Sequence, residues 1–200
     1  MSTLGSIDLN ELIQQLSDSS DPIMYQYFKN LNNRTIIINE DISEASIETV
    51  VLPLLEMDND GTGKEITVYL NTNGGDVGTG LLICDIISQL KTKTEIRLLS
   101  NGYSMGSLIL MAGFENPNVT RRCYPFSTAL VHSGSTYIGG TSMQVRDFHN
   151  FQNKYEEKIK NFIITHSAIT DEEYDKMERY EWYFTAEDMI EKKLVDEIIK

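Results

Sequence analysis

Apolar runs of strand length alternate with apolar stripes of helical spacing from residue 34 onward. Residues 34–39 carry Ile36, Ile37 and Ile38 in succession and predict a short buried strand. Residues 43–57 place Ile47, Val50, Val51, Leu54 and Leu55 on one helical face, with Pro53 set to kink that helix or end it early. The polar cluster 58–64 reads as a turn and residues 66–70 as a strand. Leu81, Leu82, Ile83, Ile86, Ile87 and Leu90 then mark a second helix. A strand over 95–99 leads to a helix entered at Ser104, followed by strands near 121–124 and 128–132 and a long helix from about 141 to 166. Repeated strand–helix units predict an α/β fold whose sheet is largely parallel and covered.

Two regions stand apart from this rhythm. Residues 1–24 form an N-terminal segment in which Leu9, Leu12, Ile13 and Leu16 make one helical stripe before a polar break at 17–21 and Pro22. A peripheral helix is the ordinary reading of such a terminus, and a partner-docking segment the sharper one. Residues 25–200 make the main domain. Within it the long helix repeats Phe148, Phe151, Tyr155, Ile159, Phe162 and Ile163 at three- and four-residue steps. An ordinary core helix would carry such a stripe, but a helix about 38 Å long exceeds what a small domain covers alone. The expectation is a homo-oligomer.

Charge narrows the partners. Thirty acidic against seventeen basic side chains leave a net charge of −13, which disfavours binding to nucleic acid or anionic lipid. No run approaches the roughly 18 apolar residues of a membrane span, and the N-terminus lacks a basic region followed by an apolar one, so a cytoplasmic setting is expected. Cys84 and Cys123 sit in apolar stretches without metal or redox spacing and read as buried thiols. His132, His149 and His166 fall on separate elements, which disfavours zinc. Gly63-Lys64 lacks the first glycine of a phosphate-binding loop, Asp58-Asn59-Asp60-Gly61 has its glycine too early for a calcium loop, and Gly78-Thr79-Gly80 lacks a third glycine for a dinucleotide. No cofactor or metal site is expected in this chain.

The candidate chemistry lies in Asn101-Gly102-Tyr103-Ser104-Met105-Gly106-Ser107, a serine framed as G-x-S-x-G between an apolar strand and an apolar helix. A sharp strand-to-helix turn exposes such a hydroxyl and aims backbone N–H groups at the same place, although glycine and serine also fill ordinary turns. His132 ends the apolar run Ala129-Leu130-Val131 and would reach the sheet edge where Ser104 lies, as a base or as a hydrogen-bonded rim residue. Asn71-Thr72-Asn73-Gly74-Gly75 closes the preceding unit at that same edge. The N–H groups of Gly75 and Met105 could there hold a carbonyl oxygen.

With these segments in order, the sequence resembles the Clp peptidase (ClpP) proteases over roughly residues 25–200. The resemblance is carried by Tyr69-Leu70-Asn71-Thr72-Asn73-Gly74-Gly75, Gly102-Tyr103-Ser104-Met105-Gly106-Ser107, Ala129-Leu130-Val131-His132, and Tyr183-Phe184-Thr185-Ala186 with Leu194-Val195-Asp196. It implies a ClpP/crotonase-like α/β fold of repeated ββα units with a long handle helix. It also implies a serine endopeptidase with Ser104 as nucleophile, His132 as base, and the N–H groups of Gly75 and Met105 as oxyanion hole. Stacked heptameric rings and an AAA+ unfoldase that spends ATP and feeds in unfolded protein belong to the same implication. The family's third triad member, an aspartate, falls on Glu181 by ungapped matching; Asn73 stands where proline is common, and the N-terminal region differs. Asp171 and Asp188 compete for the third role but sit in capping boxes, Thr170-x-x-Glu173 and Thr185-x-x-Asp188. A catalytically silent ring subunit and a crotonase-type acyl-CoA enzyme are the alternatives from other classes.

Overall fold

The computed structural model describes Gln14, Ser17, residues 22–177 and residues 179–200. The stripe Leu9, Leu12, Ile13 and Leu16 lies outside the described residues. Helix α1, Pro22–Asn32, is an element that the sequence reading leaves out, and it leads into strand β1, Thr35–Ile38. The helix expected over 43–57 is divided: a π turn, Ile47–Val51, precedes α2, Leu52–Asn59. Pro53 has no N–H to continue an α ladder, and the Leu52 N–H reaches back five residues to the Ile47 carbonyl, a wider turn that admits the ring without a break. The change of pitch rotates Leu55 toward solvent while Leu54 and Met57 stay buried.

Strand β2, Ile66–Thr72, is followed by α3, Val77–Ser88, and β3, Thr94–Tyr103, by α4, Met105–Met111. Strands β1 to β4 (β4 is Val119–Cys123) and β7, Glu197–Ile198, pair in parallel in that spatial order. Because each strand is added on the same side of the last, right-handed crossovers bring their helices to one face. That face is sealed by Leu54, Ile83, Ile87, Ile109 and Leu110. The opposite face leaves Ile37 and Leu99 partly exposed, so the sheet is covered on one side rather than two. Across it Glu95 is paired with both Arg97 and Arg122.

Strand β3 changes neighbours along its length. Residues 94–98 pair with β4, and Asn101, Gly102 and Tyr103 pair with β5, Thr128–Val131. The buried Ser127 hydroxyl donates to the Leu98 carbonyl at the changeover. Strand β5 then takes an antiparallel partner, β6, Trp182–Phe184. The long helix α5, Ser142–Thr165, starts at a capping box of Thr141 and Gln144 and buries only Ile163. Helices α6, Asp171–Met177, and α7, Ala186–Glu191, complete the chain. Arg121, almost wholly buried, anchors the C-terminal segment through two contacts to the Asp196 carboxylate and one to the Lys193 carbonyl. No helix among the described residues is long and apolar enough to cross a membrane.

Candidate active site

Ser104 occupies the junction of β3 and α4 with φ 52° and ψ −119°, a left-handed backbone that costs a non-glycine residue energy and persists only where its surroundings enforce it. Several contacts enforce it here. The Ser104 N–H donates to the Leu130 carbonyl at 2.8 Å. Ser107, fully buried, places its hydroxyl 2.5 Å from that same carbonyl and 2.7 Å from the Gly102 carbonyl. One turn of α4 is thereby tied to both strands beneath it. Gly102 and Gly106 provide the room, since a Cβ at Gly106 would lie 2.7 Å from the Thr72 methyl.

The glycine pair meets this turn directly. A Cβ at Gly74 would lie 2.7 Å from the Ser104 Cβ, 2.8 Å from the Tyr103 carbonyl oxygen and 3.0 Å from the Met105 nitrogen. Gly74 and Gly75 both have positive φ, 103° and 140°. Ile42 clamps them as an isolated parallel bridge: its N–H donates to the Gly74 carbonyl at 2.7 Å, and its carbonyl accepts from Asp76 at 2.8 Å. The Thr72 hydroxyl accepts from the Gly74 N–H and donates to the Glu40 carbonyl. Asp76 then caps α3; the Thr79 N–H that it accepts holds its carboxyl below the usual range. Gly75 is thus pinned against Ile42 and Gly74 against the Ser104 turn, next to the Met105 N–H, which at the first position of a helix has no intrahelical acceptor.

Strand register sets where His132 and Glu181 fall. Tyr103 pairs with Leu130, so the Ser104 turn sits beside the C-terminal end of β5, and His132, half-buried, is the residue just past that end. In the antiparallel pair Ala129 faces Phe184, Leu130 faces Tyr183 and Val131 faces Trp182. The ladder ends there; one further step of the same register would set His132 opposite Glu181, and directly opposed residues share a face of the sheet. Among the described residues no hydrogen bond joins the side chains of Ser104, His132 and Glu181. The Glu181 carboxylate instead accepts from the Tyr183 hydroxyl at 2.8 Å.

The competing groups are engaged elsewhere. Asp171 pairs with Lys160, and the Thr170–Glu173 capping box forms beside it. Asp188 closes the Thr185 box, and the N–H and then the hydroxyl of Thr185 hold its carboxyl below the usual range. His166 caps α5, stacked on Phe162 at 4.0 Å, and His149 is exposed on that helix. Burial pushes the Cys123 thiol up to about 11 and raises Cys84 further, so neither is a ready thiolate.

A family model for Clp protease matches residues 19–200. The chain belongs to the Clp protease family. It is therefore a serine-type peptidase. It is 24% identical over 173 residues to the ATP-dependent Clp protease proteolytic subunit of Deinococcus radiodurans, covering 86% of this chain and 83% of that protein. It is 25% identical over 170 residues to the ATP-dependent Clp protease proteolytic subunit 2 of Prochlorococcus marinus, covering 83% of this chain and 81% of that protein. Within this Clp protease fold, sequence reasoning gave no role to Ser107, Ile42 or Tyr183, although Ser107 and Tyr183 lie in the segments that carry the resemblance. Ile42 carried no local signal.

Proposed function

We propose that this chain is the proteolytic subunit of an ATP-dependent Clp protease, an endopeptidase acting on unfolded polypeptides inside an oligomeric chamber. What carries the reading is the convergence of a left-handed Ser104, held by the Leu130 carbonyl, with His132 two residues beyond that carbonyl. His132 takes the Ser104 proton as Oγ bonds to the peptide carbonyl carbon, and the oxyanion rests on the Gly75 and Met105 N–H groups. The C–N bond then breaks as His132 returns the proton to the departing amine. Water, deprotonated by the same imidazole, releases the acyl group. Glu181 orients the imidazole and stabilises its cation, a role open to either carboxylate.

The chemistry draws on protein groups of this chain alone; ATP is spent by an AAA+ unfoldase that delivers the substrate, in the cytoplasm. Chamber formation accords with α5, which leaves Phe148 and Phe151 exposed, 41% and 56%, beside Tyr155 in a continuous aromatic stripe. A second copy of this chain would cover them in stacked, heptameric rings. The test is covalent labelling by a fluorophosphonate. Ser104 should be the modified residue, and Ser104→Ala should lose labelling and roughly 10⁴-fold or more of peptidase activity while staying folded. Retained peptidase activity in that variant refutes the assignment. That no hydrogen bond among the described residues joins Ser104, His132 and Glu181 favours one other reading, a catalytically silent ring subunit, which predicts an intact assembly that never labels.

A further inference from the structure

We infer that Tyr183 is a positioning residue for Glu181: its hydroxyl pins one carboxylate oxygen so that the other is presented to His132. The inference rests on the triad reading above. Replacing an aspartate by glutamate inserts a methylene and one more rotatable bond, so the carboxylate must be held if it is to orient an imidazole. Glu181 lies just before a strand of three residues, where the backbone gives little restraint. Tyr183 is two residues on and so on the same face, and its hydroxyl donates to Glu181 Oε2 at 2.8 Å, leaving Oε1 for a second donor.

The tyrosine is itself braced toward the nucleophile. Its ring meets Tyr103, the residue before Ser104, edge to face at 5.9 Å. The Tyr103 hydroxyl is in turn bonded to Thr128 Oγ1 on β5 at 2.8 Å. Aromatic contact and hydrogen bonds therefore tie together the three strands that carry Ser104, His132 and Glu181. Glu181 and Tyr103 beside it raise the Tyr183 phenol above its ordinary value, so at neutral pH it remains a proton donor to the carboxylate. Phenylalanine at this position would keep the ring contact and lose only the latch.

The experiment follows the rate of fluorophosphonate labelling of Ser104 against pH in the assembled protein. It compares wild type, Tyr183→Phe, Glu181→Gln and the double variant. A freed Glu181 supports the imidazolium less, so Tyr183→Phe should slow labelling roughly tenfold and move the midpoint of the profile to lower pH. Glu181→Gln should move it further in the same direction, and adding Tyr183→Phe to that variant should produce no additional loss, because the two act as one unit. The exposed hydroxyl leaves the urea midpoint of Tyr183→Phe near that of wild type. A Tyr183→Phe profile superimposable on wild type overturns the latch alone, as do losses that simply multiply in the double variant. A wild-type protein that never labels overturns the triad and the latch together.

Discussion

Gly74→Ala tests how tightly the glycine pair holds the nucleophile. Gly74 has φ 103°, where an L side chain costs about 1–2 kcal/mol. The new methyl would also stand 2.7 Å from the Ser104 Cβ and 2.8 Å from the Tyr103 carbonyl oxygen, an overlap that costs about 1–3 kcal/mol to relieve. Gly74 cannot retreat, because its carbonyl and N–H are held by Ile42 and Thr72. The Ser104 turn must move instead. Gly61→Ala is the matching control, since Gly61 has φ 74° and nothing within 4 Å of its Cβ position, leaving only the backbone cost. Together these place Gly74→Ala about 2–5 kcal/mol below wild type by urea unfolding, against about 1–2 for Gly61→Ala. Displacing the hydroxyl by a fraction of an ångström should further slow fluorophosphonate labelling by roughly 10- to 100-fold in Gly74→Ala only. Wild-type labelling in Gly74→Ala, or equal losses in both variants, would refute the argument that this glycine buttresses the nucleophile.

Two further outcomes concern stability. Asp196→Asn keeps shape but leaves the buried Arg121 guanidinium without its counter-charge; allowing for the partly exposed carboxylate, urea unfolding should register a loss of about 2–4 kcal/mol, and a change within error would mean that the Lys193 carbonyl and the Phe114 ring suffice. Hydrogen bonding to Arg97, with Arg122 beside it, holds the Glu95 carboxyl below the usual glutamate value. Its stabilising contribution is therefore complete above the unfolded value and is lost as pH falls through the folded one. Glu95→Gln should thus be less stable at neutral pH and show a shallower decline on acidification below about pH 4.3, read as urea midpoints across that range; parallel curves for the two proteins would count against it.

Much of the α/β order was legible because burial imposes a period. The apolar run Ile36 to Ile38 marked a strand, although only Ile36 and Ile38 are buried and Ile37 lies on the uncovered face; a helix packed on one side needs a stripe, and Ile83 to Ile87 supply it. Capping boxes were equally plain, because Thr185 and Asp188 satisfy each other within one turn. The π turn before Pro53 was not, since local spacing shows where a proline disturbs a helix but not which wider ladder absorbs it.

The candidate site divides along the same line. Sequence alone determined the serine-centred turn, the paired glycines and the histidine closing an apolar strand, because each is a local requirement of backbone conformation or chemistry. Only the tertiary structure decided that Ile42 clamps Gly75, that Ser107 ties α4 to the Leu130 carbonyl, and that Tyr183 takes an oxygen of Glu181. The first two join residues more than twenty apart in the chain, a separation that carries no periodic trace, and the third is a choice of side-chain rotamer that spacing does not reveal. Their existence depends on β3 exchanging β4 for β5 midway and on the antiparallel return of β6, and register of that kind is set by packing across the whole sheet.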